Sequence, residues 1–191
     1  MILVFVEAAA DELSQQAVTF ARGLGEEVQA VEITGARYAP STYAQALVEL
    51  TRQRSPAAVV GPGTDRGNEV LAHVAARLEQ PMAANCVSVS AGDPVIVTRV
   101  RWGGSLLEEA LVHGSPLLLT VAPHAVAADS EADVEVVRVA DTEPAVGVTE
   151  RVATATAGVS LTYAEVVVSG GRGVGSADGF AVIEELTARP A

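Results

Sequence analysis

Apolar and polar positions along the chain follow two periods, and the changes between them divide it into elements. Ile2 to Glu7 (ILVFVE) is a short, almost unbroken apolar run, as expected of a strand buried on both faces of a sheet. Leu13, Ala17, Phe20, Ala21 and Leu24 then recur at helical spacing, with Asp11 placed to cap the helix and Gly23 and Gly25 to end it. Glu27 to Ile33 (EVQAVEI) reads as a second strand, so the chain opens as a β-α-β unit. After the loop GARYAPS, Ser41 or Thr42 starts a helix through Tyr43, Ala46, Leu47 and Leu50. Pro56 follows its end, and AAVVG is the third strand. GPGTDRGN (Gly61 to Asn68) reads as a glycine-rich loop. Glu69 to Leu78 reads as a helix with Leu71, Val74, Ala75 and Leu78 on one face. Strands alternating with helices of this length predict a parallel sheet with helices on both sides. Right-handed crossovers arrange it as a doubly wound fold.

After Pro81 the period changes. NCVSVSAG, PVIVTRVRWGG, SLLEEALVHG, PLLLTVAP and VEVVRV are short runs separated by Gly, Pro or Asp. The alternation Val95, Val97, Arg99, Arg101 predicts antiparallel strands with one face in water. SLLEEALVHG fits either a strand or a short helix. Trp102 is expected to pack at a hairpin turned by Gly103 and Gly104, or alternatively to anchor a partner. Asp141 to Ser160 reads as an extended connector. Then Glu165 to Val168 reads as a strand, SGGRGVGS as a turn, and the rest as a helix with Phe180, Ile183 and Leu186 on one face, capped by Ser176 or Asp178. The fold class is therefore α/β: a three-layer α/β/α, doubly wound, mostly parallel sheet with a β-rich second half, followed by the first β-α unit of a second domain. The boundary is placed near Leu161, giving domains at 1–160 and 161–191.

Composition narrows the function. A formal net charge of -12 argues against nucleic acid and anionic membranes as general partners. No stretch reaches the ~18 apolar residues of a membrane span, and MILVFVEAAADEL lacks the pattern of a signal peptide. A soluble cytoplasmic protein is the expectation. The single cysteine, Cys86, reads as a small buried hydrophobe. His73, His113 and His124 have no ligand partner at metal spacing. Gly61 to Asn68 could cradle a phosphate, but it lacks the Lys-Ser/Thr of a P-loop and misses G-x-G-x-x-G by one residue, so a plain strand-to-helix turn is the stronger reading. Ser169 to Ser176 is the strongest local signal. Its glycines let backbone approach a ligand, and Arg172 projects from the turn toward a phosphate or an electron-rich ring. A plain turn with an exposed arginine fits the same residues equally well.

Taken in order from end to end, the motifs resemble the α subunit of electron transfer flavoproteins. The match runs through ILVFVE, TYAQALVELTRQRSPAAVVGPGTDRGNEVLAHVAARL, RVRWGGS, LLLTVAP and, most specifically, VVVSGGRGVGSADGF. The chain departs from that family at Asn85, commonly Asp; at Val100-Arg101-Trp102, usually Pro-x-Tyr; at Ala122, usually Arg; and in length, since family members continue for about one more domain. The resemblance implies an electron carrier rather than an enzyme. It implies a heterodimer with a β subunit, and an FAD held mainly in the second domain and not retained by this chain alone. Electrons would come from acyl-CoA or related dehydrogenases, as in fatty-acid β-oxidation, and leave to a membrane quinone reductase. Residues 1–160 would scaffold and dock the β subunit. Arg172 would contact the flavin, with Gly170, Gly171 and Gly173 admitting it. A nucleotide-binding regulatory module using Gly61 to Asn68 and a cofactor-free interaction domain are the competing readings.

Overall fold

The computed structural model describes residues 1–35, 38–90, 92–130, 132–140, 150 and 166–187. They fall in two compact units, Met1–Thr149 and Glu150–Ala191. The connector 141–160, apart from Glu150, and the boundary expected near Leu161 lie outside the described residues.

The first unit runs β1 (Ile2–Val6), α1 (Glu12–Arg22), β2 (Val28–Thr34), α2 (Pro40–Arg54), β3 (Ala58–Pro62), α3 (Asp65–Leu78), β4 (Met82–Ser90), β5 (Val95–Arg101), β6 (Leu106–Val112), β7 (Leu117–Val121) and β8 (Val134–Arg138). These strands form one sheet in the order β6-β5-β4-β7-β3-β1-β2-β8. The six strands from β4 to β8 are parallel, and β5 and β6 are added antiparallel at one edge.

A buried strand sends alternate side chains to opposite faces, which is why ILVFVE can be apolar throughout. Ile2, Val4 and Val6 join Ala17, Val18, Phe20 and Ala21 of α1 in one core. Leu3 and Phe5 join Tyr43, Leu47 and Val48 of α2 and Val70, Leu71 and Val74 of α3 in the other. Each fully buried Leu, Ile or Phe contributes about 1.5–3 kcal/mol, so the two cores clamp the sheet from both sides. Among its described residues the β7–β8 crossover contains no helix, and its Ala125, Val126 and Ala132 pack on the first core, on the α1 face. The His124 N–H donates to Gln16 Oε1 at 2.8 Å, and the Ser130 N–H donates to Thr19 Oγ1 at 3.1 Å, tying the crossover to α1.

Several expectations change. α2 begins at Pro40, whose missing N–H suits the first helical position, and not through a cap at Ser41 or Thr42. α3 begins at Asp65, so Asp65 to Asn68 form its first turn instead of a loop. SLLEEALVHG supplies strand β6. β7 and β8 are parallel to their neighbours, and the antiparallel pairs are β4–β5 and β5–β6. In the second unit the strand expected at Glu165 to Val168 is not formed at Val166 to Val168, and Glu165 lies outside the described residues. Short 3-10 turns, Arg172–Val174 and Ala177–Phe180, lead into α4 (Ala181–Thr187), and the Ser176 side chain makes no capping hydrogen bond. No helix among the described residues is long and apolar enough to cross a membrane.

Cys86 is buried in β4, where its thiol donates to the Ala83 carbonyl at 3.4 Å. Burial pushes the thiol from 9.0 up to about 12, against a smaller opposing pull from Arg99. The native protein is therefore expected to resist alkylation at pH 8, where roughly one thiol in ten thousand is ionised, and to react fully once unfolded. Rapid labelling of the native chain would show an open β4.

Candidate functional site

In open α/β sheets ligands bind where the strand order reverses, beyond the carboxyl ends of the strands. Here the reversal lies between β1 and β3. Side chains of the chain itself close it. Thr64 caps α3 by accepting from the Gly67 N–H at 2.8 Å, and its hydroxyl also contacts Glu7 Oε1. The Glu7 N–H in turn donates to Ser14 Oγ at 2.9 Å, in the first turn of α1. Asp65 occupies the first turn of α3 and opposes any anion there.

The glycines of this region serve internal packing. A Cβ on Gly63 would lie 2.3 Å from the Val121 carbonyl oxygen and 2.8 Å from Asn85 Oδ1. A Cβ on Gly67 would lie 2.0 Å from the Pro62 carbonyl oxygen. Both distances are far inside contact range, so the strand-to-helix turn itself requires glycine. Beside it a closed polar ring links three elements. The Asn85 N–H donates to Thr120 Oγ1 at 2.9 Å, Thr120 donates to Asn68 Oδ1 at 2.7 Å, and Asn68 Nδ2 reaches Asn85 Oδ1 at 3.4 Å. Asn85 sits at the β4 register shift with φ 58, a left-handed conformation that Asn tolerates. A cavity of about 310 Å³ opens between α1 and the β7–β8 crossover, lined among the described residues by Val6, Ala9, Ser14, Val18 and Ser130 with others, none of them charged.

At the N-terminal turns of α2 and α3, the Arg66 guanidinium lies 4.9 Å from the Tyr38 ring centroid and 5.1 Å from that of Tyr43. The Tyr38 hydroxyl donates to Glu69 Oε2 at 2.7 Å, and burial followed by that bond raises the phenol above its ordinary range. This cluster ties α3 to the start of α2 through the contacts of Arg66 and Glu69.

The second unit is arranged differently. Gly179 is required by packing against backbone, and Gly170 is crowded by side chains. A Cβ on Gly170 would meet Val174 and Ile183 side-chain atoms at 2.6 and 2.7 Å, and one on Gly179 would meet the Val174 carbonyl oxygen at 2.2 Å. Gly175 has φ +76 and needs glycine conformationally. Gly171 and Gly173 have neither reason. Their φ values lie outside the left-handed region, and nothing stands within 4 Å of where a Cβ would sit. Arg172 lies between them, exposed. The turn is thus open at the two glycines that flank the cation. Of the four predicted residues, Gly171, Arg172 and Gly173 share this open surface, while Gly170 faces inward onto α4.

The β5–β6 hairpin is the other exposed feature. Trp102 has φ 52, Gly103 and Gly104 complete the turn at φ 60 and 94, and the indole is 80% exposed. The expectation that it packs is not met, because the turn lies beyond both cores. Arg99 Nε holds Glu108 Oε2 at 2.8 Å and Arg101 approaches it at 3.4 Å, keeping that carboxyl below the usual range, chiefly through the Arg99 hydrogen bond. Leu107 and Leu111 were missed from sequence. The signal was their alternation with Glu109, which only a strand places on one outward face.

A mostly parallel, doubly wound sheet with helices on both faces, its Gly61 to Asn68 turn filled by internal packing, defines an α/β protein. Residues 30–144 match the electron transfer flavoprotein domain family. The electron transfer flavoprotein subunit alpha of Mycobacterium leprae is 32% identical over 217 residues, 97% of this chain and 68% of that protein. That of Bacillus subtilis is 30% identical over 156 residues, covering 78% and 48%. Protein FixB of Bradyrhizobium diazoefficiens is 28% identical over 163 residues, covering 79% and 44%. The chain belongs to the electron transfer flavoprotein family. It spans between 44% and 68% of the length of these three relatives.

Proposed function

We propose that the chain acts as the α subunit of an electron transfer flavoprotein, a carrier and not an enzyme, paired with a β subunit in the cytoplasm. In this reading it receives electrons from acyl-CoA or related dehydrogenases and yields them to a membrane quinone reductase. FAD, when bound to the complete heterodimer, supplies the reversible electron acceptance. The first unit is the scaffold, and the Gly171-Arg172-Gly173 turn belongs to the flavin site.

The observation that carries the reading is the contrast between the two glycine turns. Gly63 and Gly67 are taken up by internal packing, which weighs against a nucleotide module in the first unit. Gly171 and Gly173 leave backbone open beside an exposed guanidinium, a surface suited to a flat ring whose polar edge accepts hydrogen bonds and gains negative charge on reduction. Arg172 would be placed to balance negative charge on a bound flavin, and Gly171 and Gly173 would admit close approach of its ring.

Assembly tests the reading. The chain mixed with FAD alone is expected to leave the free flavin spectrum unchanged. A version continued through a complete second domain, as in the longer relatives, and co-expressed with the β subunit is expected to purify as a yellow heterodimer. A colourless heterodimer that ignores added FAD would favour the cofactor-free interaction domain.

A further inference from the structure

Arg172 stands between two residues that hold it loosely. Glycine has the widest backbone freedom of any residue, and nothing packs where a Cβ on Gly171 or Gly173 would be. The Arg172 guanidinium makes no hydrogen bond or ion pair among the described residues. Its own side-chain contacts therefore do not locate the cation. The backbone of the Arg172–Val174 turn does, and that turn is held through the side chain of Val174.

Val174 is seated between two glycines. Its Cγ2 lies 2.6 Å from the point a Cβ on Gly170 would occupy, and its Cγ1 lies 3.0 Å from the corresponding point on Gly179. Ile183 Cδ1 and Phe180 Cε1 close on the same Gly170 point at 2.7 and 3.2 Å, so the valine packs together with them. The backbone is tied at the same place. The Val174 N–H donates to the Gly171 carbonyl at 3.0 Å, the Gly175 N–H to the Arg172 carbonyl at 3.1 Å, and the Ser176 N–H to the Val174 carbonyl at 2.9 Å. The first two of these bonds close the turn that carries Arg172. The glycines that receive Val174 are the crowded ones, and the glycines that flank Arg172 are the open ones. The turn is thus clamped at residue 174 and loose from 171 to 173. Trimming the valine to alanine removes both γ carbons and with them the contacts on Gly170 and Gly179. The hydrogen bonds of the turn then have little apolar packing behind them, and exposed backbone bonds of that kind open easily.

We propose that Val174 is a positioning residue for Arg172: its two methyl groups, seated on Gly170 and Gly179, hold the turn in the one conformation that presents the guanidinium to the flavin. This rests on the reading of Gly171-Arg172-Gly173 as part of the flavin site. In the flavin-bearing heterodimer, Val174→Ala is expected to lower the reduction potential by about 14 mV, roughly a threefold loss of preference for the two-electron reduced form. In an Arg172→Ala background the same substitution is expected to change the potential no further, because a residue that acts through the cation has nothing left to act on. A shift of equal size in both backgrounds, or in neither, overturns the positioning role and leaves Arg172 in the flavin site, provided that Arg172→Ala by itself moves the potential. If Arg172→Ala moves nothing, the flavin-site reading and the positioning role fall together. A second measurement needs neither flavin nor partner. On the full chain under native conditions, trypsin is expected to cut after Arg172 at least about threefold faster in Val174→Ala, because cleavage tracks opening of the turn. Mass spectrometry reads this as peptides that begin at Gly173. Equal rates of cleavage in the two proteins overturn the clamp.

Discussion

Replacing Gly67 with alanine is expected to destabilise the first unit by about 3 kcal/mol, read as a lower urea midpoint with unchanged slope. The added methyl would stand 2.0 Å from the Pro62 carbonyl oxygen. Neither side can give way easily. Pro62 is registered against Val121 in the parallel ladder of β3 and β7. On the other side, the Gly67 N–H is held by Thr64 Oγ1. The methyl therefore has to push α3 off the sheet, which loosens Val70, Leu71 and Val74 together. Against a typical total stability of about 5–15 kcal/mol, this is a large fraction. Gly171→Ala is the control, with nothing within 4 Å of its Cβ position and φ -91. It is expected to change stability by less than about 0.5 kcal/mol. The pair separates a glycine required by folding from one that the fold itself does not require. Loss of nucleotide binding with stability intact in Gly67→Ala would restore the phosphate-loop reading.

The second large effect concerns Arg172. In the flavin-bearing heterodimer, Arg172→Ala is expected to lower the reduction potential of the bound flavin by about 30 mV or more, a tenfold loss of preference for the two-electron reduced form. The sign follows from charge. Removing a fixed cation disfavours the state that carries more negative charge, so the oxidised form is relatively stabilised. Arg172→Lys retains the charge but loses the planar fork and stacking face, and is expected to recover only part of the shift. Gly171→Ala is expected to weaken FAD retention about tenfold by blocking close approach, while leaving the first unit unaffected. Potential and FAD affinity both unchanged in Arg172→Ala would remove Arg172 from the flavin site.

How much was legible in sequence depended on how local the deciding physics is. β1 through β3 and the faces of α1 and α3 could be read because buried apolar periodicity is written into consecutive residues. Even so, the start of α3 was hidden. Asp65-Arg66-Gly67-Asn68 is a polar, glycine-containing stretch, and its helical state depends on the Thr64 cap and on contact with Pro62. Leu106, Leu107, Ala110 and Leu111 satisfy helical spacing and strand alternation equally, so only pairing with β5 decided β6. The directions of β7 and β8 were beyond local reading because both strands insert out of chain order, β7 between β3 and β4 and β8 beside β2. At the site, the glycine-arginine turn was visible as a motif. Which of its glycines face packing and which face open space was not, because that depends on Val174, Phe180 and Ile183 folding back over Gly170.

The sequence by itself determined the layer architecture, the order of the first β-α units and the family, because burial periodicity and motif order survive in one dimension. Tertiary structure alone decided that the Gly61 to Asn68 turn is closed, that Trp102 stands in solvent, and that Leu107, Glu109 and Leu111 share one outward face. Each of those depends on what lies across space from the residue, and a chain read along its length does not carry that distance.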